Sequence, residues 1–309
     1  MPPIKTVEQA LAYHARLAAQ DASVAYLMTL FLCPEITPQV IAAAAATGRI
    51  AGVKSYPRGL TTNSAGGVVD YAAFYDVFAA MEAHDLVLNL HGEAPPSDST
   101  TILSAEEAFL PTLRALHARF PRLRIVLEHC TTAAAVAAVR ACGPTVAATI
   151  TAHHLFLTID QWADNPHCFC KPVAKLPSDR DALLQAASSG DPRFFLGTDS
   201  APHPRAAKIG SSTGRVAAGV FTQPYAVQYV ATAFDRLGRL DKLRGFVADH
   251  GRAFYRTVEK GWETADEVAR DALVLEPAPK TVVAAEFGHG DGAIVPFLAG
   301  EKLWGLRWL

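Results

Sequence analysis

The chain has 309 residues, of which 50% are hydrophobic and 19% charged, so it has enough apolar side chain for a large core and too much for a disordered protein. The 28 basic and 30 acidic residues give a net charge of -2, with no basic surplus that would point to nucleic acid. The N-terminal stretch MPPIKTVEQALAYHARLAAQ lacks a signal-peptide core, and no apolar run approaches the roughly 20 residues that span a bilayer. Of the five cysteines only Cys168 and Cys170 are close in sequence, with no second pair to complete a zinc knuckle, and a reducing, cytoplasmic location is the default expectation.

Short apolar runs alternate with helical patterns along the whole chain. The second helix has the clearest boundaries, with Thr37 as N-cap, Pro38 at its first position and Gly48 just past its end. The predicted order is helix Thr6–Gln20, strand Val24–Leu32, helix Thr37–Thr47, strand Ile50–Tyr56, helix Asp70–His84, strand Leu86–Leu90, helix Ala105–Phe120, strand Ile125–Glu128, helix Thr131–Cys142, strand Thr145–Thr151, helix Ser178–Ser188, strand Phe194–Gly197, then helices Tyr225–Leu237 and Lys242–Tyr255 and a mixed tail.

The predicted strands are continuous apolar runs, which is typical of a parallel sheet covered by helices. Such an alternation folds either as an open doubly wound sheet or as a (β/α)8 barrel of the TIM type. The first strand is not followed by the G-x-G-x-x-G of a dinucleotide-binding sheet, which favours the barrel. Only six strands are visible, whereas a closed barrel has eight. We expect one barrel domain over residues 1–309, with 256–309 as a C-terminal tail.

Polar side chains follow the predicted strands at the points where the strands end. Lys54, His91, His129, Asp199 and His203 all occupy such positions. In a barrel these ends share the C-terminal face, where catalytic groups converge. The sequence therefore predicts that the five side chains surround one cavity.

The residue types at this face indicate a metal site. Two histidines and an aspartate are good ligands for Zn²⁺ or a similar ion, which acidifies water and polarises a carbonyl. A lysine cannot bind a metal as an ammonium, but Lys54 could do so as a carbamate formed with CO₂, and Asp199 could shuttle a proton. A single histidine is more often structural, and Lys54 alone would be an ion-pair partner. The set at several strand ends favours the metal site.

Other polar groups have weaker assignments. His153 and His154 are ambiguous between structural and functional roles, and the pair Cys168 and Cys170 is expected to be structural. The loop from Thr61 to Gly67 is either a plain connection or a lid over the site.

Several long motifs occur in the order of a known family and cover nearly the whole chain. They are KSYPRGLTTNSAGGV from Lys54, LNLHGE ending at Glu93, VLEHCTT from Val126, ATITAHHL from Ala148, FCKPVAK from Phe169, FLGTDSAPH ending at His203 and VPFLAGE from Val295. In these motifs the chain resembles the dihydroorotases of the amidohydrolase superfamily, in their monofunctional bacterial and fungal class.

The resemblance implies a role for each matching residue. Lys54 would be an N6-carboxylysine bridging two Zn²⁺ ions, His91 and His129 would bind the second ion, and Asp199 would bind the first ion and act as general acid and base. The substrate contacts would come from the mobile loop with Thr61 and Thr62, from His203, from the backbone of Ala218 and from the main chain of Lys171.

The implied reaction is the reversible hydrolysis of (S)-dihydroorotate to N-carbamoyl-L-aspartate in pyrimidine biosynthesis, through a hydroxide that bridges the metals. The implied partner is a small-molecule substrate, with no nucleic acid and no membrane, and the implied assembly is a cytoplasmic homodimer.

The sequence departs from the family at its beginning. The superfamily has a His-x-His pair after its first strand, and this chain contains none. The missing pair and the two missing strands predict an absent β-α-β segment of about forty to fifty residues. We expect the chain by itself to lack part of the first metal site, and the sequence leaves open whether it is active alone. The alternatives are a non-catalytic protein that needs a partner, and a related cyclic amidase acting on hydantoin or allantoin.

Overall fold

The computed structural model describes residues 2–61, 64–209, 214–270 and 273–308. Six strands form one sheet in chain order, and the pairs from β1 to β5 are parallel. These strands are β1 (Met28–Phe31), β2 (Ile50–Ser55), β3 (Val87–His91), β4 (Ile125–Glu128), β5 (Val146–Ile150) and β6 (Phe194–Leu196).

Helices follow the strands along the chain, as the sequence predicts. They are α1 (Val7–Ala18), α2 (Pro38–Ala46), α3 (Tyr75–Ala83), α4 (Ala105–Arg119), α5 (Ala133–Cys142), α6 (Ile159–Ala163), α7 (Pro177–Ala187), α8 (Arg205–Lys208), α9 (Ala226–Arg236), α10 (His250–Tyr255) and α11 (Ala265–Arg270). None of the described helices combines the length and the apolar character needed to cross a membrane.

The six predicted strands are all present, each within a few residues of its predicted bounds. The boundaries of α2 are confirmed in detail. Thr37 Oγ1 accepts a hydrogen bond from Val40 N at 3.3 Å, Pro38 is the first helical residue, and Gly48 follows with a left-handed φ of +61°. Residues next to this helix therefore cap both of its ends, where backbone amides and carbonyls lack partners within the helix.

Two predicted helices are broken. The first, predicted over Asp70–His84, begins with a 3₁₀ turn (Tyr71–Phe74) that Asp70 caps through Ala72 N at 2.8 Å. The second, predicted over Lys242–Tyr255, contains a π-helical turn (Gly245–Asp249) before α10. A Cβ at Gly245 would lie 2.7 Å from His250 Nε2, so this wider turn depends on glycine at position 245.

The C-terminal tail contains an antiparallel hairpin that the sequence did not indicate. Its strands are β7 (Leu273–Val282) and β8 (Lys302–Trp308). Pro277 and Pro279 interrupt the apolar pattern of β7, which disfavours a strand prediction, and the pairing register shifts across that stretch.

The chain divides into two compact units. The first unit comprises Met1–Glu128, Ala137–Ala148 and Arg252–Asp266, and the second comprises His129–Val136, Thr149–Gly251 and Glu267–Leu309.

In the first unit, the segment Arg252–Asp266 contacts residues from much earlier in the chain. Lys260 Nζ lies 3.0 Å from the carboxylate of Asp85 and donates to its carbonyl at 2.8 Å. Trp262 Nε1 donates to Gly48 O at 2.6 Å. These contacts make a late segment of the chain part of an early unit.

Candidate metal and substrate site

Lys54 and His91, two of the predicted metal ligands, lie together in the first unit. Lys54 is on β2 and His91 ends the neighbouring strand β3. Both contact the ring of Tyr56: Lys54 Nζ lies 5.1 Å from its centroid, and the His91 ring stacks on it at 5.7 Å. The sequence did not single out Tyr56. Its only signal was its position two residues after Lys54, which places both side chains on one side of an extended chain.

Glu93 is a second residue that sequence reasoning missed, although it stands in the LNLHGE motif. Its Oε2 lies 2.8 Å from His91 Nε2, and the two side chains are only 2% and 1% exposed. Metal-binding histidines regularly hold their second ring nitrogen against a carboxylate, which fixes the ring and raises its basicity. The pair is therefore suited to present the other nitrogen of His91 to a metal.

His129 and Asp199, both in the second unit, share an uncommon backbone conformation. Each has a φ of +43°, in the left-handed region that side chains other than glycine rarely adopt. His129 directly follows β4 and is buried, whereas Asp199 follows β6 and is exposed. Strained backbone of this kind is concentrated at functional sites.

Thr149, on β5, supports the chain at both of these residues. Its Oγ1 accepts a hydrogen bond from His129 N at 2.6 Å. A Cβ at Gly197, two residues before Asp199, would lie 2.6 Å from Thr149 Cβ, so only glycine fits there. The hydroxyl of Thr149 and the absence of a side chain at Gly197 together allow the segments of His129 and Asp199 to pack closely against β5.

The three predicted substrate residues of the second unit lie in adjoining segments. His203 Nε2 donates to Ala218 O at 3.0 Å. Gly219 N donates to Phe169 O at 2.9 Å, which joins the segment of Ala218 to that of Lys171. The structure thus brings together His203, Ala218 and the main chain near Lys171.

Close packing at Gly219 holds His203 in this arrangement. A Cβ on Gly219 would lie 2.5 Å from Ala201 O and 2.9 Å from His203 Cδ2. Any side chain there would push the imidazole away.

Thr61 lies in the first unit and is hydrogen-bonded to Ser64. Its amide donates to Ser64 Oγ at 2.9 Å, and Ser64 Oγ donates back to Thr61 O at 2.7 Å. Thr62, the other residue predicted for this loop, lies outside the described residues.

His153, His154 and Cys170 form a buried cluster in the second unit. Cys170 Sγ lies 3.5 Å from His153 Nε2 and 3.6 Å from His154 Nε2, and such a group could bind a metal ion. The three groups also form hydrogen bonds: Cys170 Sγ donates to Pro172 O at 3.1 Å, and His154 Nδ1 lies 2.8 Å from Thr151 Oγ1. Burial lowers the pKa of His154 to about 3 and that of His153 well below its usual value. Both rings are therefore neutral.

The amidohydrolase family profile matches residues 5–176, more than half of the chain. A probable dihydroorotase of Schizosaccharomyces pombe is 57% identical over 255 residues, which cover 82% of this chain and 74% of that protein. The chain belongs to the dihydroorotase family of amidohydrolases. A dihydroorotase from Saccharomyces cerevisiae, solved in complex with 5-fluoroorotic acid, has a TM-score of 0.92 and 45% identity, covering 99% of this chain and 87% of that one.

The family membership confirms the α/β fold of the TIM-barrel type that the sequence predicts. An L-hydantoinase from Arthrobacter aurescens also matches, with a TM-score of 0.80 over 98% of this chain and 71% of that chain. Its identity is only 16%, so this likeness concerns the fold alone.

Proposed function

We propose that the protein hydrolyses the cyclic amide of (S)-dihydroorotate to N-carbamoyl-L-aspartate, and catalyses the reverse cyclisation, as a step of pyrimidine biosynthesis. The observation that carries this proposal is the similarity to dihydroorotases along nearly the whole chain, in both sequence and fold. Location in the cytoplasm and assembly as a homodimer remain predictions from the family resemblance.

A metal ion is part of the proposal, with zinc as the predicted element and two ions as the predicted number. Lys54 as a carbamate, His91, His129 and Asp199 would hold it. The donor set fits such an ion, because it combines imidazoles with carboxylate-type oxygens and because the Glu93 carboxylate orients His91. When bound, the metal would supply Lewis acidity, which polarises a carbonyl and lowers the pKa of water.

The protein's own groups divide the remaining work. The carboxylate of Asp199 would take the proton from the attacking water and deliver it to the ring nitrogen as the amide bond breaks. His203 and the main chain of Ala218 and Lys171 would bind the anionic substrate, and the loop with Thr61 and Thr62 would cover it. The hydrogen bond between His203 and Ala218 O supports a shared binding surface.

The test is a two-direction assay of dihydroorotate and N-carbamoyl-L-aspartate with Zn²⁺ present, on the wild type and Asp199→Asn. We expect turnover in both directions, and a loss of about 100- to 10,000-fold in the variant because the proton acceptor is gone. Asp181→Asn is the matched control, since Asp181 is an exposed carboxylate paired with Arg180.

Two outcomes would contradict the proposal. Faster turnover of hydantoin or allantoin than of dihydroorotate would identify a different cyclic amidase. Complete inactivity toward all three rings, in folded and metal-loaded protein, would identify a non-catalytic member of the family.

A further inference from the structure

Lys208, at the end of α8, is a buried lysine with two main-chain partners. Its Nζ donates to Phe169 O at 3.0 Å and to Ala217 O at 2.8 Å, and the residue is only 5% exposed. Burial lowers the pKa of Lys208 to about 8, so the ammonium form still predominates at neutral pH. Burying an ammonium is costly unless hydrogen-bond acceptors replace water, and here the two carbonyls do so.

The two carbonyls belong to the segments that carry the proposed substrate contacts. Phe169 stands two residues before Lys171, and Ala217 directly precedes Ala218. One nitrogen atom therefore fixes the separation between two stretches of main chain that are far apart in sequence.

Backbone hydrogen bonds extend the same arrangement. Gly219 N donates to Phe169 O at 2.9 Å, so this carbonyl accepts both from Lys208 Nζ and from the segment of Ala218. Ala217 N donates to Ala207 O at 3.0 Å, which ties its segment to the helix that carries Lys208. Among these contacts, the ammonium of Lys208 is the side-chain group that links α8, the segment of Phe169 and the segment of Ala217.

We propose that Lys208 is a positioning residue of the substrate site, whose ammonium holds the main chain of Lys171 and that of Ala218 at the spacing the substrate requires. This inference rests on the proposed function, because it takes these two main-chain segments to be substrate contacts. Lys208 acts through them and touches no reacting atom.

Substrate affinity in Lys208→Met tests this role. Methionine fills similar space but cannot donate to the carbonyls, so the two segments lose their common anchor. We expect KM for dihydroorotate to rise at least about tenfold while kcat changes less than about threefold, because binding is disturbed and the acid–base group is not. A general loss of folded protein would instead lower the apparent kcat and leave KM unchanged.

Amide hydrogen exchange at Gly219 provides a readout that does not depend on activity. This amide donates to Phe169 O, so its exchange should accelerate at least about tenfold in Lys208→Met. If the wild type does not turn over dihydroorotate, the proposed function fails on its own, and the exchange experiment still decides whether Lys208 holds the segments.

Lys175→Met is the matched control. Lys175 is also buried, at 4% exposure, but its Nζ donates to Val173 O at 3.0 Å, within its own stretch of chain. We expect its KM and Gly219 exchange to stay close to those of the wild type. Lys208→Arg, which keeps the charge and the donors, should recover part of the affinity.

An unchanged KM in Lys208→Met would overturn the positioning role, whether or not Gly219 exchange accelerates. Unchanged exchange at Gly219 would overturn it as well. If Lys208→Met fails to fold, Lys208→Gln is subject to the same criteria, since its shorter amide cannot span both carbonyls.

Discussion

We expect the carboxylate of Glu93 to affect metal binding, although it is not a predicted ligand. It lies 2.8 Å from His91 Nε2 in a nearly solvent-free position. Glu93→Gln keeps the shape but removes the charge, and we expect metal affinity to fall about 10- to 100-fold because the imidazole becomes a weaker and less fixed donor. Titration with Zn²⁺ against a competing chelator measures this.

The control for that substitution is Glu82→Gln. Glu82 lies on α3 and pairs with Arg122, whose side chain is exposed. Equal metal affinity in Glu93→Gln and the wild type would remove Glu93 from the metal site.

Lys54 gives the second prediction at this scale. In protein that turns over dihydroorotate, Lys54→Ala should abolish activity, because the carbamate ligand is lost, and a short carboxylic acid should restore part of it. Lys5→Ala serves as the control, since Lys5 is a surface lysine paired with Glu35. Full activity in Lys54→Ala would contradict the bridging role.

Sequence reasoning proposes the residues whose chemistry is visible in their type and position. Lys54 and His91 stand at the ends of apolar strands, and a parallel sheet brings such ends together. Tyr56, Thr149 and Gly219 were missed because their roles depend on contacts between distant segments. An aromatic ring, a hydroxyl and a missing Cβ carry no chemical signal until the neighbouring chain is in place.

At the scale of single elements, Thr149 connects β5 with the turn that follows β4. Thr149→Val keeps the shape of the side chain but leaves His129 N without its acceptor. We expect unfolding free energy to fall by about 1–3 kcal/mol, since a buried N–H would lose its hydrogen bond. Urea denaturation measures this loss, and the left-handed turn at His129 should loosen with it.

Thr232→Val is the comparison for this element. Its hydroxyl donates to Gln228 O within α9, a carbonyl of a regular helix, so the change should stay within about 0.5 kcal/mol. Equal stability of both variants would show that Thr149 does not hold the turn.

The strands of the sheet were predictable because each is an unbroken apolar run next to clear helix signals. The 3₁₀ turn before α3 and the π-helical turn before α10 were not, since periodicity does not separate these from an α-helix. The hairpin of β7 and β8 escaped prediction because prolines interrupt its first strand. The local sequence pattern was therefore enough to predict the strands of the sheet. It was not enough where packing between segments determines the backbone conformation.

For the whole molecule, the buried cluster of His153 and His154 predicts a pH dependence of stability. Both pKa values are depressed in the folded state, to about 3 for His154, whereas unfolded histidine titrates at about 6.5. The unfolded chain therefore binds more protons than the folded protein at acidic pH. The contribution of the two rings to the free energy of unfolding is complete above about pH 6.5 and is lost as the pH falls toward 3, by up to about 1.4 kcal/mol per pH unit for each ring.

Denaturation with urea between about pH 7 and pH 4 checks this dependence. His154→Gln should lower the slope of unfolding free energy against pH by the contribution of about one proton, whatever its effect on absolute stability. Thr232→Val, which removes no titratable group, is the control and should leave the slope unchanged. The same slope in His154→Gln as in the wild type would contradict the prediction.

The late segment Arg252–Asp266 has a consequence for synthesis on the ribosome. Gly48 and Asp85 leave the exit tunnel long before Trp262 and Lys260, the residues that later bind them. The sheet can grow strand by strand as it emerges, yet the first unit lacks these contacts until residues 252–266 have left the tunnel. Until that segment emerges the first unit is incomplete, and we expect the nascent chain to depend on chaperones during this interval.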